Sequence, residues 1–459
     1  MEKNNHRKNE ENNHRKNISG SSDLIFTNAN ISNFLRNLNK MNIAVEKVNK
    51  QKVRSHQDSL WMLRMLIIFF KLIGLATFIR RIDTSKKRTL YIFQYSEFGI
   101  IYNGVLISLM VASNYLSIPY RIKIKYENKS NLTVIIELVQ TILGTIVICT
   151  ILFFYCVDQK SFIRIINRLT DIEHEIDHLY RLYSPLQRQR VLWTMILVYI
   201  SNNCLLIVLL ISEVLAFHTT PVSWLTDILP TFHVGWMIIQ YFMLVTIIQT
   251  DFMDVNRAIQ NLSRTPDLRS QSFYQTRRVI VSNSTINQLL QLRDVHYNLC
   301  EISENVSNFY SLPILFGVTF LFLSLIYNGY YLLSPLMISD EVLEYVVFSN
   351  TVIWLIYLTY PIFLLTNRIT RIMNEMEKTG NIVHNVLSCA IGKEARSELK
   401  QFSLQILHRK IRFTANGYFT LDNSFLYSLI GTVVTYLVIL VQFQMGSSRS
   451  QRNCTRQDS

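Results

Sequence analysis

Long apolar stretches recur seven times along the chain, at approximately 95–120, 131–157, 191–217, 229–250, 308–335, 343–366 and 426–445. Each is long enough to cross about 30 Å of hydrocarbon as a helix rising about 1.5 Å per residue. The pattern therefore predicts an all-α membrane protein with seven transmembrane helices. An eighth apolar segment, 61–79, is interrupted by Arg64 and Lys71, seven residues apart and on one helical face. A charge at the bilayer centre costs roughly 2.5–3.5 kcal/mol, and an amphipathic interfacial helix or a re-entrant segment avoids that cost. Residues 56–94 are accordingly read as an amphipathic or re-entrant segment followed by a linker. Residues 1–55 are polar and basic, with Asn-Asn-His-Arg-Lys-Asn at 4–9 and again at 12–17. They cannot bury enough apolar area to offset chain entropy, so a disordered tail is expected.

The connections after the second, fourth and sixth spans are long (158–190, 251–307 and 367–425), while the others are short. All three long connections lie on the side of the N-terminus. They carry apolar stripes at helical spacing: Phe162, Ile165, Ile166, Leu169, Ile172, Ile176 and Leu179 in the first, Ile286, Leu289, Leu290, Leu299 and Ile302 in the second, Ile382, Val386 and Leu387 in the third. Such stripes need a partner. The spans are expected to continue as helices beyond the membrane and pack there, within one chain or between subunits.

Charge sets the orientation. The 459 residues are 49% hydrophobic and only 17% charged, against about 25% in soluble domains, yet the net charge is +14. A nucleic-acid binder would cluster basic residues on a folded surface; here none of the 46 Lys and Arg falls inside a span. Of these, 39 lie on the N-terminal side, 18 before the first span and 6, 6 and 9 in the long connections. The positive-inside rule then places the N-terminus inside the cell and the C-terminus outside, although Arg121, Lys123, Lys125 and Lys129 oppose it. The first 30 residues hold no apolar run, so no cleavable leader is expected. The six cysteines show no metal-binding or disulfide spacing, and no cofactor is expected.

The last span is the most informative. Ser428, Thr432, Thr435, Ile439 and Gln442 fall at steps of four, three, four and three on one helical face. Small hydroxyls of this kind serve either as glue between helices or as the wall of an aqueous pore, with Ile439 an apolar constriction beside a ring of Gln442 amides. Thr435-Tyr436-Leu437-Val438-Ile439-Leu440-Val441-Gln442-Phe443 resembles the signature of the insect gustatory receptor family, Thr-Tyr, five apolar residues, then Gln-Phe, in the last span. Phe413-Thr414-Ala415-Asn416-Gly417, leading to Phe419 and Leu421, is similar to that family's approach to the same helix, and Ser311-Leu312-Pro313-Ile314-Leu315 is similar to its fifth span.

The resemblance implies a tetrameric, non-selective cation channel opened by a small-molecule tastant. It would pass monovalent cations, divalent ones being an open question, in the plasma membrane of sensory neurons, with identical or related chains as subunits. It implies a six-helix ligand-binding bundle over 95–366, a cytoplasmic subunit-contact region over 367–425, a pore-lining helix at 426–445 and an extracellular tail at 446–459. Carried over by position, Gln442 sits at the gate, and Tyr436 and Phe443 pack the pore helix against its neighbours. Sugar receptors of the family commonly have Glu directly after the Thr-Tyr pair. This chain has Leu437, which speaks against that subgroup and leaves fructose-type, bitter-type and other ligands open.

With this orientation, Asn114, Glu137, Glu213, Trp236, Gln240, Tyr327, Asn328, Tyr331, Asn350 and Trp354 fall in outer halves of spans and are candidates for a ligand pocket. Tyr and Trp near span ends also serve as interfacial anchors, and Glu213 is close enough to water to snorkel. The sequons at Asn128, Asn131 and Asn453 would be exposed outside. A G-protein-coupled-type receptor of opposite topology would instead expose Asn261 and Asn283. A transporter would show paired broken spans, and an enzyme a cluster of acids or histidines. The ten histidines are scattered, and no enzymatic activity is expected.

Overall fold

The computed structural model describes residues 65–83, 90–123, 131–179, 185–217, 221–264, 283–337, 345–388 and 393–457, all within one compact unit, Arg64–Ser459. The tail 1–55 and Asn128 lie outside the described residues. In chain order the elements are α1 (residues 65–72), β1 (Ile79–Asp83), β2 (Leu90–Gln94), α2 (Glu97–Lys123), α3 (Asn131–Val157), α4 (Gln159–Leu179), α5 (Pro185–Phe217), α6 (Pro221–Arg264), α7 (Asn283–Met337), α8 (Tyr345–Ser388), α9 (Lys393–His408), β3 (Thr414–Ala415), β4 (Phe419–Thr420) and α10 (Asn423–Gln457). Pro185 and Pro221 open α5 and α6, where the missing N–H goes unused and the ring presets a helical φ.

Seven of these helices, α2, α3, α5, α6, α7, α8 and α10, are long and apolar enough to cross a membrane, as the hydrophobic pattern predicts. Three far exceed a bilayer: α7 has 55 residues and α6 and α8 have 44 each, roughly 80 and 65 Å at helical rise. The amphipathic stripes pack within the chain. Phe162, Ile165, Leu169, Ile172 and Ile176 of α4 are buried, as are Leu289, Leu299 and Ile302 of α7 and Ile382 and Val386 of α8.

Helix α6 is the centre of the bundle, with 89% of the residues in its most apolar stretch buried, packed against α3, α7 and α8. A helix apolar on all sides has its place in an interior. The opposite case is α10, only 6% buried over its span. It also runs on to Gln457, past the expected boundary at 445, because hydropathy marks the hydrocarbon layer and not the end of a helix.

Residues 73–78 break the helical architecture. Helix α1 ends at Gly74, whose φ of 82° suits glycine, and the chain then runs extended among the spans with Leu75, Ala76 and Phe78 buried. Irregular backbone at membrane depth requires its polar groups to be satisfied by protein. Tyr102 donates to the Leu72 carbonyl (2.6 Å), Asn103 to that of Gly74 (2.9 Å), Gln240 to that of Leu75 (2.9 Å), and Gln159 to that of Thr77. Beyond it lies a feature the sequence reading treats as linker: β1 and β2 form an antiparallel hairpin, with Arg81 opposite Ile92. The side-chain amide of Asn167 on α4 holds it by bonding both the N–H (2.9 Å) and the C=O (3.0 Å) of Phe93.

Candidate functional site

The approach to α10 is built like a bracket. Phe413, Ala415 and Leu421 are buried, and the β3–β4 hairpin turns through Asn416 (φ 50°) and Gly417 (φ 77°). Tyr418 N–H closes the turn on the Ala415 carbonyl (3.0 Å). Asn and Gly are the residues that adopt positive φ at least cost. Two α7 hydroxyls fasten the hairpin: Ser307 accepts from Thr414 N–H (3.3 Å) and Ser311 from Asn416 N–H (2.7 Å). Thr370 of α8 accepts from Asn423 N–H (3.1 Å), and Asp422 caps the new helix by accepting from Phe425 N–H (3.1 Å).

From there α10 touches its own chain along one narrow side. Leu429 is buried, Val433 and Leu437 half-buried, and Gly329 of α7 makes room: a Cβ there would stand 2.7 Å from Leu437. Tyr436 packs edge-on against Phe322 of α7 at 5.9 Å. Phe443, by contrast, is 72% exposed within one chain. Ser428, Thr432, Thr435, Ile439 and Gln442 are all exposed. The Thr432 and Thr435 hydroxyls donate back to the carbonyls of Ser428 (2.7 Å) and Gly431 (2.9 Å), which spends their protons within the helix and leaves oxygen lone pairs outward. The face therefore offers hydroxyl oxygens, a branched apolar side chain and an amide to whatever adjoins it.

The ten pocket candidates separate into distinct groups. Glu213, Asn350 and Trp354 come together between α5 and α8: the Glu213 carboxylate accepts from Asn350 Nδ2 (2.9 Å) and Trp354 Nε1 (3.0 Å). Ser212, which the sequence reading does not single out, donates to Asn350 Oδ1 (2.7 Å). All but Ser212 are buried, so Glu213 reaches inward to partners. Trp236 stands elsewhere, in an aromatic cluster with Phe69 (4.4 Å) and Tyr199 (5.3 Å).

Gln240 is committed to holding the bundle. It donates to Leu75 and accepts from Tyr155 and Tyr310 (2.9 Å), so α3, α6 and α7 meet on its amide. Tyr327 and Tyr331 pair at 4.8 Å beside Asn328, whose amide bonds back to Ser324, and Asn114 likewise bonds its own helix at Met110. Glu137 lies on α3 and Asn131 opens it, with side chains outside the described set, as is that of Asn453 on α10. Asn202, on the core face of α5 with Val198 and Leu209, is fully buried with neither amide atom hydrogen-bonded. An Asn-Asn pair inside an apolar stretch was the available signal for it.

Among the described residues, no group of three or more His, Cys, Asp or Glu could hold a metal ion.

A family model described as 7tm chemosensory receptor matches residues 63–447. Putative gustatory receptor 28b of Drosophila melanogaster is 28% identical over 211 residues, 42% of this chain and 44% of that protein. Gustatory receptor for bitter taste 66a of the same organism is 26% identical over 179 residues, 36% and 32%. The chain thus matches less than half the length of these relatives. Of solved structures, the insect olfactory receptor OR5 from Machilis hrabei, in complex with eugenol, is similar with a TM-score of 0.53 at 17% identity, covering 83% of this chain and 97% of that one. At that identity the likeness is one of fold.

Proposed function

The chain belongs to the 7tm chemosensory receptor family and is of the insect gustatory type, and on that premise we propose that it is a ligand-gated, non-selective cation channel. Four subunits surround a pore lined by α10, with the N-terminus cytoplasmic, in the plasma membrane of sensory neurons. The observation that carries this reading is the state of α10 in the single chain: a span 6% buried, bearing one stripe of hydroxyls and an amide. Hydroxyls that served as glue inside one chain would be buried against its other helices. These are exposed, so the stripe is available to other subunits or to water. The exposed Leu404 and Leu407 of α9 support subunit contact in the 367–425 region. The Glu213–Asn350–Trp354 group supplies the polar part of the ligand site. Its occupant is a small molecule, and bitter compounds are a natural first panel because one matched relative is named for bitter taste.

The test is cysteine substitution along α10 in the full-length receptor. Thiols at Ser428, Thr432, Thr435, Ile439 and Gln442 should react with water-borne reagents and block agonist-evoked current. A thiol at Leu429, on the packed side, should be silent. Reaction nowhere along the stripe, or reaction without block, would remove the pore from α10. Gln442→Ala, tested beside them, should alter permeation or basal leak at unchanged surface expression.

A further inference from the structure

Where the first spans end, one surface changes abruptly from apolar to basic. Ile79 on β1, Tyr95 just before α2, Phe98 at its start, and Phe153 and Val157 at the end of α3 are all exposed large apolar side chains. On a spanning protein such residues meet lipid tails, so the hydrocarbon edge runs past them. Immediately beyond stand Arg81, Lys160 and Arg164, all exposed. Helix α4 begins two residues after α3 ends, which puts Lys160 and Arg164 about 4.5 and 10.5 Å of helical rise past Val157. The headgroup layer is about 5–8 Å thick on each side of the hydrocarbon, within reach of both side chains. They lie one turn apart on one face.

Two contacts join the hairpin to this face. Asn167 clamps Phe93 to α4, and the Lys160 ammonium sits 6.0 Å from the Tyr95 ring centroid. Charge is also sorted along α4. Lys160, Arg164 and Arg168 occupy the half nearest the spans, whereas Asp171, Glu173 and Glu175 follow in the half farther away. Arg168 is engaged with Asn298 of α7 (3.1 Å). Of the nearby carboxylates, Glu97 stands in the first turn of α2, where it complements the helix dipole, and Asp158 lies at the junction of α3 and α4.

We propose that Arg81, Lys160 and Arg164 form a binding site for the headgroup of an anionic phospholipid, its acyl chains lying along Ile79, Phe98 and Phe153. The change from apolar to basic surface involves β1, the α2 and α3 ends and α4, and a lipid with a negative headgroup matches both kinds of surface. Basic residues gather at cytoplasmic span ends in general; here three of them are exposed directly beyond an exposed apolar surface contributed by β1, α2 and α3.

The site is tested on the purified full-length protein in detergent, titrated with acyl-labelled phosphatidylserine and, for comparison, acyl-labelled phosphatidylcholine, following anisotropy. Phosphatidylserine should bind more tightly, and its binding should weaken as salt is added. The combined R81Q, K160Q and R164Q variant should lose that preference by about fivefold per charge, on the order of a hundredfold in all. Asp171→Asn with Glu175→Gln should leave it unchanged. Equal binding of the two lipids, salt-insensitive binding, or a triple variant that binds like the wild type would overturn the proposal. So would soluble glycerophosphoserine competing as well as the intact lipid, since the site would then take a free anion. If the triple variant does not elute as an intact particle, K160Q with R164Q is read instead. About a twenty-five-fold loss is expected there, and wild-type binding by that pair again overturns the site.

Discussion

Side chains that look equivalent in the sequence have separate fates in the structure. Glu213, Trp354 and Asn350 meet, Gln240 is diverted into a knot with Tyr155 and Tyr310, and Trp236 enters an aromatic cluster. Only the first group has a carboxylate, an amide and an indole converging on one spot, so ligand sensitivity should depend on it. Trp354→Phe removes one donor to the Glu213 carboxylate (3.0 Å) while keeping an aromatic ring. Losing a hydrogen bond costs about 0.5–1.5 kcal/mol, so the half-activating concentration of an effective tastant should shift by roughly two- to tenfold. Unitary conductance should be unchanged, and an unaltered dose response would take Trp354 out of the ligand site. All three residue types were visible as polar or aromatic positions inside apolar runs. Their partners were not, because a long helix offers every face and sequence does not say which face meets which.

At the scale of elements, apolar runs foretold the seven spans and periodic stripes foretold the packing of α4 and of the long helices. Two elements went unread. The β1–β2 hairpin has strands of five residues, β1 mostly charged and β2 mostly apolar, so neither shows a clear alternation, and Asn167 and buried Phe93 hold it. The bracket at 413–422 was visible as Asn416-Gly417, but its attachment to Ser307 and Ser311 was not. Its rigidity should matter, since it sets where α10 begins. Gly417 has open space around it, so a side chain there meets no steric neighbour and only the positive φ is penalised. Gly417→Val should cost about 1–3 kcal/mol locally and lower agonist-evoked current, with pore conductance unchanged in patch recordings. Wild-type gating in this variant would show that the hairpin does not position the pore helix.

For the whole molecule, orientation is a matter of charge bias, and glycosylation reads it directly. With a cytoplasmic N-terminus, endoglycosidase should shift the receptor's mobility, and N128Q, N131Q and N453Q together should abolish the shift; dependence on Asn261 or Asn283 would instead invert the topology. The sequence by itself determined the number of spans, the family and the stripe on α10, because crossing hydrocarbon demands an apolar run of fixed length and a helix repeats every 3.6 residues. Both requirements are local and can be read in one dimension. Only the tertiary structure decided which acid meets which indole 141 positions away, how four side chains satisfy the broken backbone at 72–77, and that α10 is left bare while α6 is enclosed. Those outcomes depend on how helices of similar apolarity pack side by side, and interchangeable Leu, Ile and Val surfaces carry no local mark of their neighbours.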